Sequence, residues 1–123
     1  MDINEVTGQV VDAAIRVHSA IGPGLLESAY TACLAHVLES REVRCVSQLP
    51  LPVVYRGKRI DIGYRVDLLV EDSVVVELKA VARMLPVHEA QLLSYLRLGG
   101  FKVGLLINFH VPRLRDGIKR MMN

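Results

Sequence analysis

The sequence VDLLVEDSVVVELKAV, residues 66–81, decides the fold, because two apolar runs in it flank a short polar loop. The run from Ser73 to Val81 is almost continuously apolar and β-branched, as expected of a central strand covered on both faces. The run before the loop predicts a neighbouring strand. Three charged residues, Asp67, Glu77 and Lys79, interrupt these runs. Because burying an unpaired charge is costly, the fold must compensate each of them.

The spacing of these charges leads to a prediction about strand register. Glu77 and Lys79 are two residues apart, so both side chains leave the same face of the sheet. If the whole of Glu71–Ser73 forms the turn, Asp67 lies directly opposite Glu77, and opposed residues share a face. A two-residue turn would shift the register by one and place the two carboxylates on opposite faces. A site shared by both carboxylates therefore requires the three-residue turn.

Two carboxylates held close together repel unless a cation lies between them. Mg²⁺ or Mn²⁺ suits such a site, because hard ions prefer oxygen ligands; Asp67, Glu77 and the backbone carbonyl of Leu78 would supply part of the shell. Water bound to the ion becomes a better nucleophile, and Lys79 could orient it or neutralise charge on a phosphate. The structural alternative is a cross-strand ion pair in which Lys79 bridges both acids. The apolar flanks favour the metal site and phosphodiester hydrolysis.

The rest of the chain predicts helices before this stretch and one helix after it. Apolar spacing indicates a first helix from Ile3 that ends near Gly22, and Pro23 is well placed as the first residue of a second helix that reaches residue 42. Further strands are expected within residues 43–55, 59–70 and 101–109, with a helix over about 87–98 that Gly99-Gly100 ends. Residues 112–123 predict a helical turn or a frayed tail.

The resulting order is α-α-β-β-β-α-β, a single α/β domain over residues 1–123. The helix between the third and fourth strands provides a crossover, so those two strands can be parallel. The chain has 123 residues, which is the size of one domain with its own core.

Bulk composition excludes several classes of protein. The two cysteines, Cys33 and Cys45, are too few for a disulfide framework or a cysteine-rich zinc site. The charged N-terminus has no signal-peptide pattern, and no apolar run is long enough to span a bilayer, so we expect a cytoplasmic protein that does not enter a membrane. The net charge of +2 permits a polyanionic partner but does not argue for one.

Three residues on the predicted helices are further candidates. Glu27 lies close to the buried stripe of the second helix, which raises the chance that it faces a cleft. Gln91 and Tyr95 are four residues apart and project from one helix face. Taken alone, each has a plainer explanation: a solvated acid for Glu27, a surface amide for Gln91 and a core aromatic for Tyr95.

The segment Gly24-Leu25-Leu26-Glu27-Ser28-Ala29-Tyr30 matches the signature of the GxxExxY proteins, and the chain resembles that family over nearly its whole length. These proteins are placed in the PD-(D/E)XK nuclease superfamily. The resemblance implies a restriction-endonuclease-like αβββαβ core. Here that core is a mixed four-stranded sheet flanked by helices, with one extra N-terminal helix.

The resemblance also implies roles for four acidic and basic residues. In the superfamily the acids that match Asp67 and Glu77 bind the metal, and the lysine that matches Lys79 is the catalytic cation. A glutamate on the first core helix, which matches Glu27, often completes the catalytic and metal site.

A third group of residues is assigned to substrate positioning. Gln91 to Tyr95 looks like the Q-x-x-x-Y helix of RecB-type nucleases, in which the Gln and the Tyr lie near the site and the nucleic acid. We assign Gln91, Tyr95 and the signature residue Tyr30 to positioning of the substrate.

Three functions are compatible with these residues. The first is a nuclease dependent on Mg²⁺ or Mn²⁺ that acts on DNA, with RNA as the alternative. The second is a non-catalytic accessory domain that binds nucleic acid or a protein, with oligomerisation or a partner supplying surface that this small chain lacks. The third and weakest is hydrolysis of another phosphate ester.

Overall fold

The computed structural model describes all 123 residues as three helices, five strands and a short 3-10 helix. In chain order the elements are α1 (Ile3–Ile21), α2 (Glu27–Ser40), β1 (Cys45–Tyr55), β2 (Lys58–Val70), β3 (Val74–Lys79), α3 (Pro86–Gly99), β4 (Val103–Asn108), the 3-10 helix (Leu114–Gly117) and β5 (Ile118–Met122). None of the three α-helices combines the length and the hydropathy needed to cross a membrane. The predicted order of elements is confirmed, with one strand added at the end.

The five strands form one mixed sheet in the order β1-β2-β3-β4-β5. The pairs β1–β2, β2–β3 and β4–β5 are antiparallel, whereas β3 and β4 are parallel. Helix α3 makes the crossover that a parallel pair requires, as the sequence predicts. The three central strands therefore lie between neighbours on both sides, and β1 and β5 form the two edges.

Helices cover both faces of the sheet, which explains why β3 and β4 are apolar at successive positions. Helices α1 and α2 pack on one face, where Leu34 and Leu105 belong to the larger core. Helix α3 packs on the other face, where Leu92 and Leu106 belong to the smaller core. Leu105 and Leu106 are neighbours in β4 and point into different cores because side chains alternate along a strand. Burying each such side chain contributes about 1.5–3 kcal/mol.

The end of the chain differs from the prediction. The expected turn is present at Leu114–Gly117, but Ile118–Met122 pairs antiparallel with β4 as a fifth strand. The predicted four-stranded sheet is therefore wrong by one strand. The sequence IKRMM is short and basic and carries no strong strand pattern of its own. Its conformation is set by the open edge of β4, and this tertiary contact outweighs local propensity.

The start of the second helix also differs from the prediction. Helix α2 begins at Glu27 with Leu26 as its N-cap residue, so Pro23 lies in the preceding loop. Gly24 has φ +101°, a conformation that glycine adopts readily and that a helix cannot contain. This glycine breaks the helical path between Pro23 and Glu27.

Tyr30 fixes the loop before α2 from inside the core. Its hydroxyl donates to the carbonyl of Gly22 at 2.6 Å and accepts from the amide of Leu25 at 3.1 Å. The ring is fully buried and stacks on Phe109, with ring centroids 4.3 Å apart. One side chain therefore satisfies two backbone groups of the loop and sets the direction in which α2 starts.

Replacing Tyr30 by phenylalanine should destabilise the protein, because it leaves two loop backbone groups without a partner. We expect the free energy of unfolding to fall by about 1–3 kcal/mol in urea denaturation. Tyr64→Phe is the matched control, because Tyr64 is exposed and its hydroxyl makes no hydrogen bond within the protein, and it should leave stability unchanged. Equal stabilities of the two variants would contradict this role for Tyr30.

Candidate metal and active site

Strands β2 and β3 pair in the register that the sequence predicts. Val70 pairs with Val74, so the three residues Glu71–Ser73 form the turn. The same register places Asp67 directly opposite Glu77. The two-residue turn, which would have separated the carboxylates, is excluded.

The two carboxylates meet where the β2–β3 ladder stops. The last paired residues are Leu68 and Val76. Beyond them, the backbone amide of Asp67 donates to Glu77 Oε1 at 2.9 Å, and the backbone amide of Leu78 donates to Asp67 Oδ2 at 2.8 Å. Each side chain thus accepts a hydrogen bond from a backbone amide of the opposite strand. In a regular ladder the acceptor would be a main-chain carbonyl. The sheet opens between the two strands at this point, and the carboxylates occupy the opening.

A change in the pleat of β2 turns Asp67 toward this opening. Val66 packs in the smaller core and Leu68 in the larger one, although residues two apart normally share a face. The regular alternation is therefore interrupted at Asp67. On β1, Gln48 lies across from Asp67, because its neighbours Ser47 and Leu49 pair with the neighbours of Asp67. The backbone of Gln48 has φ +55°. Left-handed backbone is uncommon for a residue other than glycine, so both strands are distorted at this one level.

The backbone of Leu78 points its polar groups into the same opening. Its amide reaches Asp67, whereas the carbonyl of the next residue, Lys79, accepts from Phe109 on the side of β4. The N–H and the C=O of one strand residue point the same way. The carbonyl of Leu78 therefore faces the opening, in the direction that the predicted metal-ligand role requires.

The electrostatic state of Glu77 reflects this crowding. Glu77 is only 5% exposed. Burial is the main cause that raises its pKa to about 8, and the nearby Asp67 carboxylate raises it further. Hydrogen bonding from the Asp67 amide and the positive charge of Lys79 lower the pKa in part. Without further positive charge, Glu77 therefore keeps its proton at neutral pH.

Lys79 and the two predicted positioning residues of α3 form a chain of contacts beside the carboxylates. The ammonium of Lys79 donates to Gln91 Oε1 at 3.4 Å, and Gln91 Nε2 donates to the hydroxyl of Tyr95 at 3.1 Å. Burial and the charge of Glu77 raise the pKa of the Tyr95 hydroxyl. The structure thus brings Gln91 and Tyr95 to the same face of the sheet as Glu77 and Lys79.

Glu27 reaches the site from the opposite helix layer. It is exposed at the start of α2, and its Oε2 accepts from the backbone amide of Ala80 at 3.1 Å, just past the end of β3. A groove of about 520 Å³ is lined by Glu27 and Thr31 of α2, by Asp67 of β2 and by Gln48 of β1. Glu27 therefore does face a cleft, and Asp67 faces the same cleft.

The donor set fits a hard divalent cation that retains water. One oxygen each of Asp67, Glu77 and Glu27 accepts a hydrogen bond from a backbone amide, and the carboxyl groups of Asp67 and Glu77 also lie within hydrogen-bond reach of each other. No three acidic, histidine or cysteine side chains gather into one group that could hold a metal alone. Mg²⁺ seldom needs such a group, because it is usually held by one or two carboxylates, water and substrate phosphate.

Tyr30 is the predicted site residue that the structure places elsewhere. Its ring is fully buried and both hydrogen-bonding positions of its hydroxyl are used by the loop before α2. The prediction that Tyr30 positions the substrate by direct contact is therefore wrong. Its contribution is to hold the loop from which Glu27 emerges.

Gln48 is a site-facing residue that the sequence does not single out. Its side chain is exposed, makes no hydrogen bond within the protein and lines the groove with Asp67 and Glu27. Its position follows from the irregularity at Asp67, which no pattern in the sequence of β1 signals. Only the neighbouring prolines, Pro50 and Pro52, indicate that this edge strand is not regular.

Replacing Glu77 by glutamine should stabilise the metal-free protein at high pH. Glutamine keeps the acceptor for the Asp67 amide but carries no charge. Because the pKa of Glu77 is raised from 4.5 to about 8, the folded wild type holds a proton that its unfolded chain releases across this interval. Folded wild type therefore loses stability as pH rises from about 4.5 to 8, at up to about 1.4 kcal/mol per pH unit.

The measurement is urea denaturation in EDTA at pH 5 to 9. The stability advantage of Glu77→Gln over the wild type should grow up to about pH 8 and then level off. Glu42→Gln is the control, because Glu42 is exposed and its carboxylate has no partner in the protein. An advantage that does not change with pH would refute the raised pKa.

Comparison with known proteins identifies the superfamily and the fold of the chain. The family model of the PD-(D/E)XK nuclease superfamily matches residues 4–121. No curated protein matches the chain by sequence. The crystal structure of SSO0001 is similar over 94% of this chain, with a TM-score of 0.56 and 23% identity, which shows a shared fold. The chain spans 56% of the length of SSO0001. With the family model covering nearly all of its residues, this chain belongs to the PD-(D/E)XK nuclease superfamily.

Proposed function

We propose that the protein is a nuclease that uses Mg²⁺ or Mn²⁺ to hydrolyse phosphodiester bonds in DNA, with RNA as the alternative substrate. The observation that carries this proposal is the position of Asp67 and Glu77. They face each other across an opening in the sheet, beside Lys79, in a chain of the PD-(D/E)XK superfamily. The signature from Gly24 to Tyr30 further supports assignment to the GxxExxY proteins.

Asp67, Glu77 and the carbonyl of Leu78 would hold the cation, and Glu27 would assist from the cleft side. Each carboxylate has one oxygen fixed by a backbone amide, so each side chain is held in a defined place before any ligand arrives. When bound, the cation lowers the pKa of a coordinated water and offsets the charge of the substrate phosphate. Its charge would also favour the ionised form of Glu77.

Lys79 would act on the phosphate or on the attacking water. Its ammonium lies at the end of β3 and donates one hydrogen bond to Gln91, which leaves two N–H groups for other acceptors. A fixed cation next to the scissile phosphate stabilises the negative charge that increases in the transition state. Gln91, held in turn by Tyr95, would keep Lys79 in place and would itself be within reach of the substrate.

A second candidate function is a non-catalytic domain that binds nucleic acid or protein. One observation favours it: the carboxylates of Asp67, Glu77 and Glu27 already accept backbone hydrogen bonds, and no three-ligand metal group is formed. In that case the acids would only satisfy amides where the sheet opens. Metal binding separates the two candidates.

Nicking of supercoiled DNA in Mg²⁺ or Mn²⁺ tests the enzymatic proposal. Asp67→Ala and Lys79→Ala should each lower the rate roughly 100-fold or more, because each removes a charge needed in the transition state. Asp116→Ala and Lys102→Ala are matched controls on the surface and should retain wild-type activity. Activity that survives both site substitutions would come from a contaminant, and inactivity on all DNA and RNA would favour the accessory function.

Metal binding can be measured without turnover, by the melting temperature with added Mn²⁺. A ligand that binds only the folded state stabilises it by about 2.7 kcal/mol at 100 times its Kd, so melting should shift upward in the wild type. The shift should disappear in Asp67→Ala and persist in Asp116→Ala. A folded wild type whose melting temperature does not change with millimolar Mn²⁺ or Mg²⁺ would contradict the metal site.

A further inference from the structure

A second groove lies on the side of the sheet that carries α3. It has a volume of about 470 Å³ and lies between α3 and β2, with Tyr64, Val87, Tyr95 and Leu98 among its lining residues. Most of the lining is apolar, and the groove is large enough for a small planar ligand. Tyr64 is 43% exposed there, and its ring centroid is 6.0 Å from that of Tyr95.

Side-chain contacts link the groove to the candidate active site. Gln91 lines the groove and also accepts from Lys79, and Tyr95 lines the groove and also bonds to Gln91. Tyr64 adds its ring beside Tyr95. A chain of four side chains therefore leads from Lys79 to the exposed face of Tyr64, so a ligand could occupy both places.

The segment next to the groove carries excess positive charge. We define the hairpin arm as residues 53–65, which contains the part of the β1–β2 hairpin beyond the register shift between Leu51 and Val53 and continues along β2 to Tyr64 and Arg65, the partners of Leu51 and Pro50. The arm has four basic residues and one acidic residue, and the acid, Asp61, pairs with Arg59 at 3.0 Å. The other basic residues of the arm are exposed and form no salt bridge: Arg56, Lys58 and Arg65.

We propose that this groove binds an unpaired nucleobase of a single-stranded nucleic acid, stacked on Tyr64, while the cations of the hairpin arm bind the flanking phosphates. An exposed aromatic face beside free cations is the usual means of binding a single strand, because every base has a face to stack. The proposal rests on the nuclease function above, because that function requires the bound nucleic acid to continue from Tyr64 toward Lys79. It adds that the preferred substrate has unpaired nucleotides.

A duplex does not fit this groove equally well. Each base in a duplex is already stacked on its neighbours, so it must leave the stack before it can contact Tyr64. The free cations of the arm also match a phosphate backbone better than they match an apolar peptide. Single-stranded or frayed nucleic acid is therefore the occupant that both the ring and the charges favour.

Binding of fluorescent oligonucleotides in EDTA tests the proposal, because cleavage then plays no part. The probes are oligo(dT), an abasic oligonucleotide of the same length and a blunt duplex. For Tyr64→Leu, the Kd for oligo(dT) should rise about tenfold, whereas Tyr64→Phe should bind within about twofold of the wild type. Tyr55→Leu is the matched control on the same arm, because Tyr55 is an exposed tyrosine that does not line the groove.

The pattern across probes decides the outcome. The wild type should bind oligo(dT) more tightly than the abasic strand or the duplex, and Tyr64→Leu should bind the abasic strand as the wild type does. Equal binding of oligo(dT) by Tyr64→Leu and wild type would overturn the proposal, as would no binding at all, which would leave the groove to a protein ligand. Tyr64-dependent binding by a protein that never cleaves would sustain this inference and reject only the nuclease function.

Discussion

The structure depends on one exchange of hydrogen bonds between β2 and β3. The side chains of Asp67 and Glu77 each accept a hydrogen bond from a backbone amide of the opposite strand. This exchange replaces the next step of the β2–β3 ladder and lets the two strands separate without leaving their amides unpaired. Both acids and the backbone amide of Leu78 meet at the opening that results. The candidate site is therefore a feature of how the sheet ends.

The same exchange is costly, and the rest of the fold offsets that cost. Burial, and the repulsion that Asp67 would exert on an ionised Glu77, raise the pKa of Glu77 to about 8. The apolar strands β3 and β4 and the helix layers on both faces hold the acids in place despite this repulsion. Such local instability is common where a protein must bind charge, because a cation or a substrate then supplies what the protein lacks.

Much of this site could be predicted from the sequence, because its main determinants are local. The length of the polar loop Glu71–Ser73 sets the register, and the register alone puts Asp67 opposite Glu77. The four-residue spacing of Gln91 and Tyr95 likewise puts both on one face of α3. The first helix ends at Gly22 as predicted, because this stop is encoded in the residues themselves.

The features that the sequence did not predict depend on contacts between distant segments. Strand β5 forms because β4 offers an open edge, and the loop before α2 is held by Tyr30, whose ring stacks on Phe109 from a distant segment. The interrupted pleat at Asp67 lies level with the left-handed backbone of Gln48 on the neighbouring strand. A glutamine in an extended segment gives no sign of that conformation.

The most direct test of the central claim is a crystal structure of the protein grown with Mn²⁺, with anomalous scattering used to locate the ion. We expect one strong peak between Asp67 and Glu77, about 2.1 Å from an oxygen of each and in reach of the Leu78 carbonyl. We also expect both acids to keep their amide hydrogen bonds. Fully ordered acids with no peak between them at saturating Mn²⁺ would contradict the account.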